Sequence, residues 1–150
     1  MHERRYTSNR AAIVSALAIQ FNTIDGTGDF IANIAGKASP TLKFWDEIDE
    51  FPAVHMSIGP ERREYQAGGY KDRYLSVTVR CYVKDEDSQS ALEGILKDLE
   101  TVIELNGRLA YLDSSGTQQY THDILIMGID TDEGVLSPLG VGEILLQIRY

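Results

Sequence analysis

At 150 residues, 43% hydrophobic and 25% charged, the chain has the composition of an ordinary globular domain and not of a disordered or fibrous segment. Its one cysteine excludes an intramolecular disulfide and a thiolate metal cluster within one chain, and no run approaches the ~18 apolar residues of a membrane span. The formal charge of −9 is uneven, with nine Lys and Arg against ten Asp and Glu in residues 1–75 but five against thirteen in residues 76–150, a balance that points away from tight binding of phosphates.

Met1 to Tyr6 has basic residues but no apolar stretch of signal-peptide kind, so the chain is expected to fold in the cytoplasm. The length suits one domain over residues 1–150. Thr7, Ser8 and Asn9 offer N-cap oxygens for a first helix, whose Ile13, Val14, Leu17, Ala18 and Phe21 recur at helical spacing. Asn22 to Gly28 ends it with turn chemistry. Phe30, Ala32 and Ile34 alternate as a short strand would, and Gly36 to Pro40 reads as loop. Trp45 to Pro52 reads as a polar turn or single helical turn with apolar anchors.

Ala53 to Ile58 is a strand, with Val54, Met56 and Ile58 on one face and Ala53, His55 and Ser57 on the other. Gly59-Pro60 is expected to break it. A protruding hairpin arm is predicted near residues 60–73, with Gly68-Gly69 at its tip. Arg73 to Val83, rich in Val, Thr and Tyr, is the strongest strand and is long enough to reach past the sheet body.

Asp85, Asp87 and Ser88 open a second helix, although Ser90 with Glu93 also fits a capping box. Leu92, Ile95, Leu96, Leu99, Val102 and Ile103 form its apolar stripe. Their burial, worth on the order of 9–18 kcal/mol before entropy, outweighs the ~1 kcal/mol cost of Gly94. Asn106-Gly107 stops the helix. Strands follow at Leu109 to Leu112, Thr121 to Ile129 and Val141 to Tyr150, the first two linked through Ser114-Ser115-Gly116. In the last, Ile144, Leu146 and Ile148 face inward while Glu143, Gln147 and Arg149 face out. The order implies an α+β fold, two helices on one face of a mainly antiparallel sheet that also admits a mixed pairing.

No active site stands out. His2, His55 and His122 belong to no helical metal motif, and His55 reads as a surface or hydrogen-bonded strand histidine. Cys81 reads as a small core residue. Asp130-Thr131-Asp132-Glu133 resembles the start of a cation loop but lacks the glycine and distal glutamate at calcium-loop spacing, so a solvated turn is expected. Gly26-Thr27-Gly28 is too short for a phosphate loop and no lysine follows it. The acids of the second helix, Glu93, Asp98, Glu100 and Glu104, read as a solvated face. Arg62, Arg63, Tyr65, Tyr70, Lys71, Arg73 and Tyr74, by contrast, put interface-favoured side chains around the Gly-Gly tip.

Several segments taken in order carry a family resemblance. Glu50-Phe51-Pro52 leads into a strand ending Ile58-Gly59. A long strand around Leu75 and Val79 feeds an acidic linker and a helix ending Val102-Ile103. Thr131-Asp132-Glu133-Gly134-Val135-Leu136-Ser137-Pro138 then precedes Gly140 and a strand ending Ile148-Arg149-Tyr150. From about Phe44 to Tyr150 this set resembles the tail terminator proteins of siphophages and related tailed phages. The resemblance implies a structural virion protein without catalytic residues, cofactor or metal. It would form a hexameric ring on the head-proximal end of the tail tube, stop tube polymerisation and present a surface to a neck or head-completion protein. Genomic DNA would pass its lumen without specific binding, which an acidic lining favours. The arm (Arg62, Arg63, Tyr65, Tyr70, Arg73) and the loop carrying Asp132, Glu133, Leu136 and Pro138 are the candidate contacts with neighbouring subunits or the tube. Another neck or tail-completion protein, a small metal-dependent hydrolase and an oligomeric adaptor domain remain as alternative readings at this point.

Overall fold

The structure, a computed structural model, describes residues 8–150, so the capping expected of Thr7 and anything involving His2 lie outside it. Helix α1 spans Asn9–Phe21 and is capped by Ser8, whose Oγ accepts the Ala11 N–H at 3.1 Å. Its five predicted core residues are all buried. Helix α2 spans Ser88–Leu105 and starts at the earlier of its two candidate caps, because the Asp87 carboxylate accepts the Ser90 N–H at 3.2 Å. Leu92, Ile95, Leu96, Leu99, Val102 and Ile103 are all buried.

The described residues form the two helices and a mixed sheet in the order β1-β2-β3-β7-β6, with strands β1 Ala38–Ser39, β2 Ala53–Tyr65, β3 Lys71–Lys84, β6 Asp123–Thr131 and β7 Leu139–Arg149. Only β1 and β2 pair in parallel. Strands β4 Ala110–Leu112 and β5 Gln118–Tyr120 make a separate ribbon. The helices cover the face carrying Val54, Met56, Leu75, Val77, Val79, Cys81, Ile144, Leu146 and Ile148, all buried, so the fold is α+β as expected. The period-2 alternation of β3 and β7 decides this: Leu75 pairs with Ile148, Val77 with Leu146 and Val79 with Ile144 on the covered face.

Five expectations are corrected. Phe30 to Ile34 is a bent segment and not a strand, its backbone pairing limited to an isolated bridge between Asn33 and Asp25. Two of its amides are satisfied by Asp98, a residue wholly buried where a solvated helix face was expected. The Asp98 carboxylate accepts the Ile31 N–H at 2.9 and 3.0 Å and the Ala32 N–H at 2.6 Å. One helical turn earlier, a Cβ on Gly94 would stand 3.1 Å from Ile31 Cγ2, so the glycine leaves room for the segment to dock.

The expected loop Gly36–Pro40 contains β1. Asn22 acts there as a surrogate strand, its amide donating to Ala38 O at 3.1 Å and its carbonyl accepting the Ala38 N–H at 2.9 Å. Gly59-Pro60 does not end β2; the pairing with β3 shifts register between Ile58 and Glu61 and continues to Tyr65. A Cβ on Gly59 would lie 3.0 Å from Ser76 O, which is why the shift sits at a glycine. Ile58 shares the register face of Val54 and Met56 yet is 43% exposed. Lastly, Ser114-Ser115-Gly116 closes a hairpin onto Gln118–Tyr120 and not onto the longer strand that follows. Buried Thr121 separates the two, its Oγ1 accepting the Leu109 N–H at 2.8 Å and donating to Gly107 O at 2.9 Å.

Replacing Asp98 by Ala would leave two amides without partners, so urea unfolding should show a loss of about 2–4 kcal/mol, with Asp98→Asn losing less. An unchanged midpoint for Asp98→Ala would remove Asp98 from its role as the anchor of this segment.

Candidate contact surfaces

Strands β2 and β3 outrun the sheet. Arg63 pairs with Arg73, Glu64 with Asp72 and Tyr65 with Lys71, while β7 begins its pairing with β3 only at Tyr74. The turn Ala67–Gly69 closes this ribbon, with Gly68 and Gly69 both at φ 82°. Tyr65 and Tyr70 stand at the tip, 74% and 75% exposed. Nearer the base, Arg62 pairs with Glu64 and its guanidinium lies 4.3 Å from the Tyr74 ring centroid.

The base of the ribbon is tied to the last residue. Tyr150 OH donates to Glu61 Oε1, and Arg63 Nε is 2.7 Å from Glu61 Oε2. Arg73 lies 4.4 Å over the Tyr150 ring, and its carbonyl accepts the Tyr150 N–H at 3.1 Å. Tyr111 meets the same ring edge-on at 6.4 Å. Burial and the bond to Glu61 push the Tyr150 phenol up to about 12. At Glu61 burial acts upward too, but the bonds from Tyr150 and Arg63 and the Arg63 charge outweigh it and hold the carboxyl below its ordinary 4.5. Arg63 and Arg73 are therefore engaged within the chain, whereas the rings of Tyr65 and Tyr70 are largely exposed at its surface.

The loop from Asp132 to Leu139 lies at the other end of β3. Asp132 braces it, Oδ2 accepting the Leu136 N–H at 3.0 Å and Oδ1 the Val141 N–H at 3.1 Å. Glu133 turns the chain at φ 56°, and Pro138, after a cis peptide bond, accepts the Asp85 N–H at 2.9 Å. Leu136 is 41% exposed. It lines a cleft of about 370 Å³ together with Phe44, Trp45, Tyr82, Asp130 and Glu143. Sequence reading passed over this cleft, because its walls come from three distant segments. Residues 41–47 lie across the uncovered face of the sheet: Thr41 O is 2.7 Å from His55 Nδ1, and Lys43 O accepts the Tyr82 OH at 2.6 Å. Phe44 and Trp45 are left half-exposed. Arg80 crosses the cleft floor to Glu143 at 2.8 Å.

The edge strand β6 is a third surface, with Leu125, Met127 and Ile129 exposed beside backbone groups that have no strand partner among the described residues. Cys81 and His55 do not meet as nucleophile and base. Cys81 faces the core, its thiol pushed up to about 12 by burial, while His55 pairs with Arg80 on the opposite face. Among the described residues no group of three or more His, Cys, Asp and Glu is arranged to hold a metal ion.

The family described as Bacteriophage Tail Tube Terminator Protein matches residues 7–150. The chain is 32% identical over 151 residues to Tail tube terminator protein p142 of Escherichia phage T5, covering 96% of this chain and 92% of that protein. A chain of the virion of the native gene transfer agent particle has the same fold at a TM-score of 0.51 and 9% identity, covering 95% of this chain and 93% of its own.

The Glu61 carboxylate, depressed in the fold, contributes stability that is present above its ordinary value of 4.5 and is lost as pH falls through the folded value. Melting temperature should therefore drop more steeply between about pH 5 and pH 3 in the native chain than in Glu61→Gln. At neutral pH Glu61→Gln should cost about 1–2 kcal/mol. Parallel acid profiles for the two proteins would show that Glu61 contributes nothing to acid stability.

Proposed function

This chain belongs to the bacteriophage tail tube terminator family, and from that premise we propose that it caps the head-proximal end of a phage tail tube as a ring of copies, six in number. The cap stops tube polymerisation and offers its other face to a neck or head-completion protein, so the tail tube protein, that neck protein and further copies of itself are its partners. Its place is in the virion, after assembly in the host cytoplasm. The observation that carries this reading is the near full-length match to a phage T5 tail tube terminator.

The geometry supports it. A ring requires that one patch meet a different patch on the next copy. The ribbon tip and the Leu136 cleft are such unlike patches, at opposite ends of one strand. The charge supports it as well, because thirteen acids against five cations in residues 76–150 suit a lumen through which genomic DNA passes without sticking. The role is structural. Arg62, Arg63, Tyr65, Tyr70 and Arg73 on the ribbon, and Asp132, Glu133, Leu136 and Pro138 on the loop, are the proposed contact and contact-supporting residues.

Negative-stain images of particles from a phage with an amber codon in this gene should show overlong tubes detached from filled heads. Tubes of normal length would favour a neck or tail-completion role instead. Leu136→Asp should lower the yield of infectious particles roughly a hundredfold, since desolvating an unpaired carboxylate at a contact costs several kcal/mol per ion. Full yield from Leu136→Asp would remove the loop from the contact.

A further inference from the structure

We infer that the ribbon tip of one copy seats in the Trp45–Tyr82–Leu136 cleft of the next, an inference that rests on the ring reading and specifies the two surfaces the ring joins. Lys71 at the tip and Tyr82 at the cleft are separated along β3 by a rise of about 36 Å at ~3.3 Å per residue. A copy therefore cannot seat its own tip, and the contact runs head to tail, as ring closure demands.

The two surfaces are also chemically complementary. The tip presents Tyr65 and Tyr70, both about three-quarters exposed, with Lys71 directly across the strand pair from Tyr65. Residues 61–73 hold four cations against three carboxylates in a chain of net charge −9. Lys71 takes part in no ion pair among the described residues, whereas Arg62 and Arg63 are each paired along their own strand. The cleft is apolar in its walls, from Phe44, Trp45 and Leu136, and acidic at its margin. Of its acids, Glu143 is held by Arg80 and Asp132 by the loop amides, which leaves the exposed Asp130 without a cationic partner among the described residues. A tyrosine entering the cleft buries roughly 150–250 Å² of largely apolar ring while keeping its hydroxyl near the polar margin. Lys71 then meets Asp130, and a deeply seated aromatic flanked by an ion pair is the arrangement that dominates binding at protein contacts.

The test uses tails assembled with the full chain. Tyr70→Cys and Leu136→Cys are placed together in one chain, and a short bis-maleimide is applied to tails whose caps have been confirmed by negative stain; Cys81 is wholly buried and does not compete. A ladder of covalent multimers that is absent from either single-cysteine control is expected. In parallel, Lys71→Glu should lower the fraction of capped tubes on the order of tenfold, and adding Asp130→Lys should restore it. Both positions are exposed, so the charge exchange leaves folding intact. Capped tubes that give no ladder, a cross-link from position 70 to the tube protein, or a swap without rescue would each overturn the seat while the ring stands. Wild-type tails that carry no cap of this protein would overturn the ring reading and the seat together.

Discussion

Strand β3 is the constraint on which the rest of the molecule depends. It is paired on both edges, to β2 on one side and β7 on the other, so its backbone amides are committed along most of its length. Its period-2 alternation then sorts the whole sheet. Leu75, Val77, Val79 and Cys81 turn to the helices, while Tyr74, Ser76, Thr78, Arg80 and Tyr82 turn away from them. A slip of one residue would exchange these sets and destroy the core and the uncovered face together. Because β3 runs unbroken from the ribbon turn to the cleft floor, it also fixes the distance and relative orientation of the two surfaces that the function needs.

Much of the molecule is held by side chains standing in for missing strands. Asn22 plays the part of a neighbour to β1, Asp98 to the bent segment before it, and Thr121 to the Gly107–Leu109 backbone that leads into β4. In each case a polar side chain supplies the hydrogen bonds that an irregular backbone would otherwise lack in a buried position. These substitutes allow the chain to change direction within a few residues, and so they deliver residues 41–47 across the open face of the sheet.

This explains what was legible in the sequence. The helices and β3 were, because Leu92 to Ile103 and Leu75 to Cys81 carry their periodicities within one segment. The ribbon was legible in outline from the aromatic and basic residues around Gly68-Gly69. By contrast, β1 is too short to show alternation, and Asp98 looks like any other acid on an exposed helical face until a segment 66 residues away is folded onto it. The same holds for the cleft: Leu136 was singled out, but Trp45, Tyr82 and Glu143 became its neighbours only through tertiary structure. Arg63 and Arg73, singled out by residue type alone, have intrachain partners that only the fold reveals, Glu61 for the first and the Tyr150 ring for the second.

The open edge of β6 has a consequence for how the protein is handled and how it behaves before assembly. A strand edge flanked by Leu125, Met127 and Ile129 is a template on which other chains can crystallise as extra strands. Mutual repulsion between copies of charge −9 opposes that, and its reach is set by the ionic atmosphere, ~8 Å at physiological salt and ~3 Å at 1 M. The chain's excess of acid thus acts as a colloidal stabiliser for an incompletely finished sheet. Concentrated salt would shorten the reach of that repulsion and leave the β6 edge less protected.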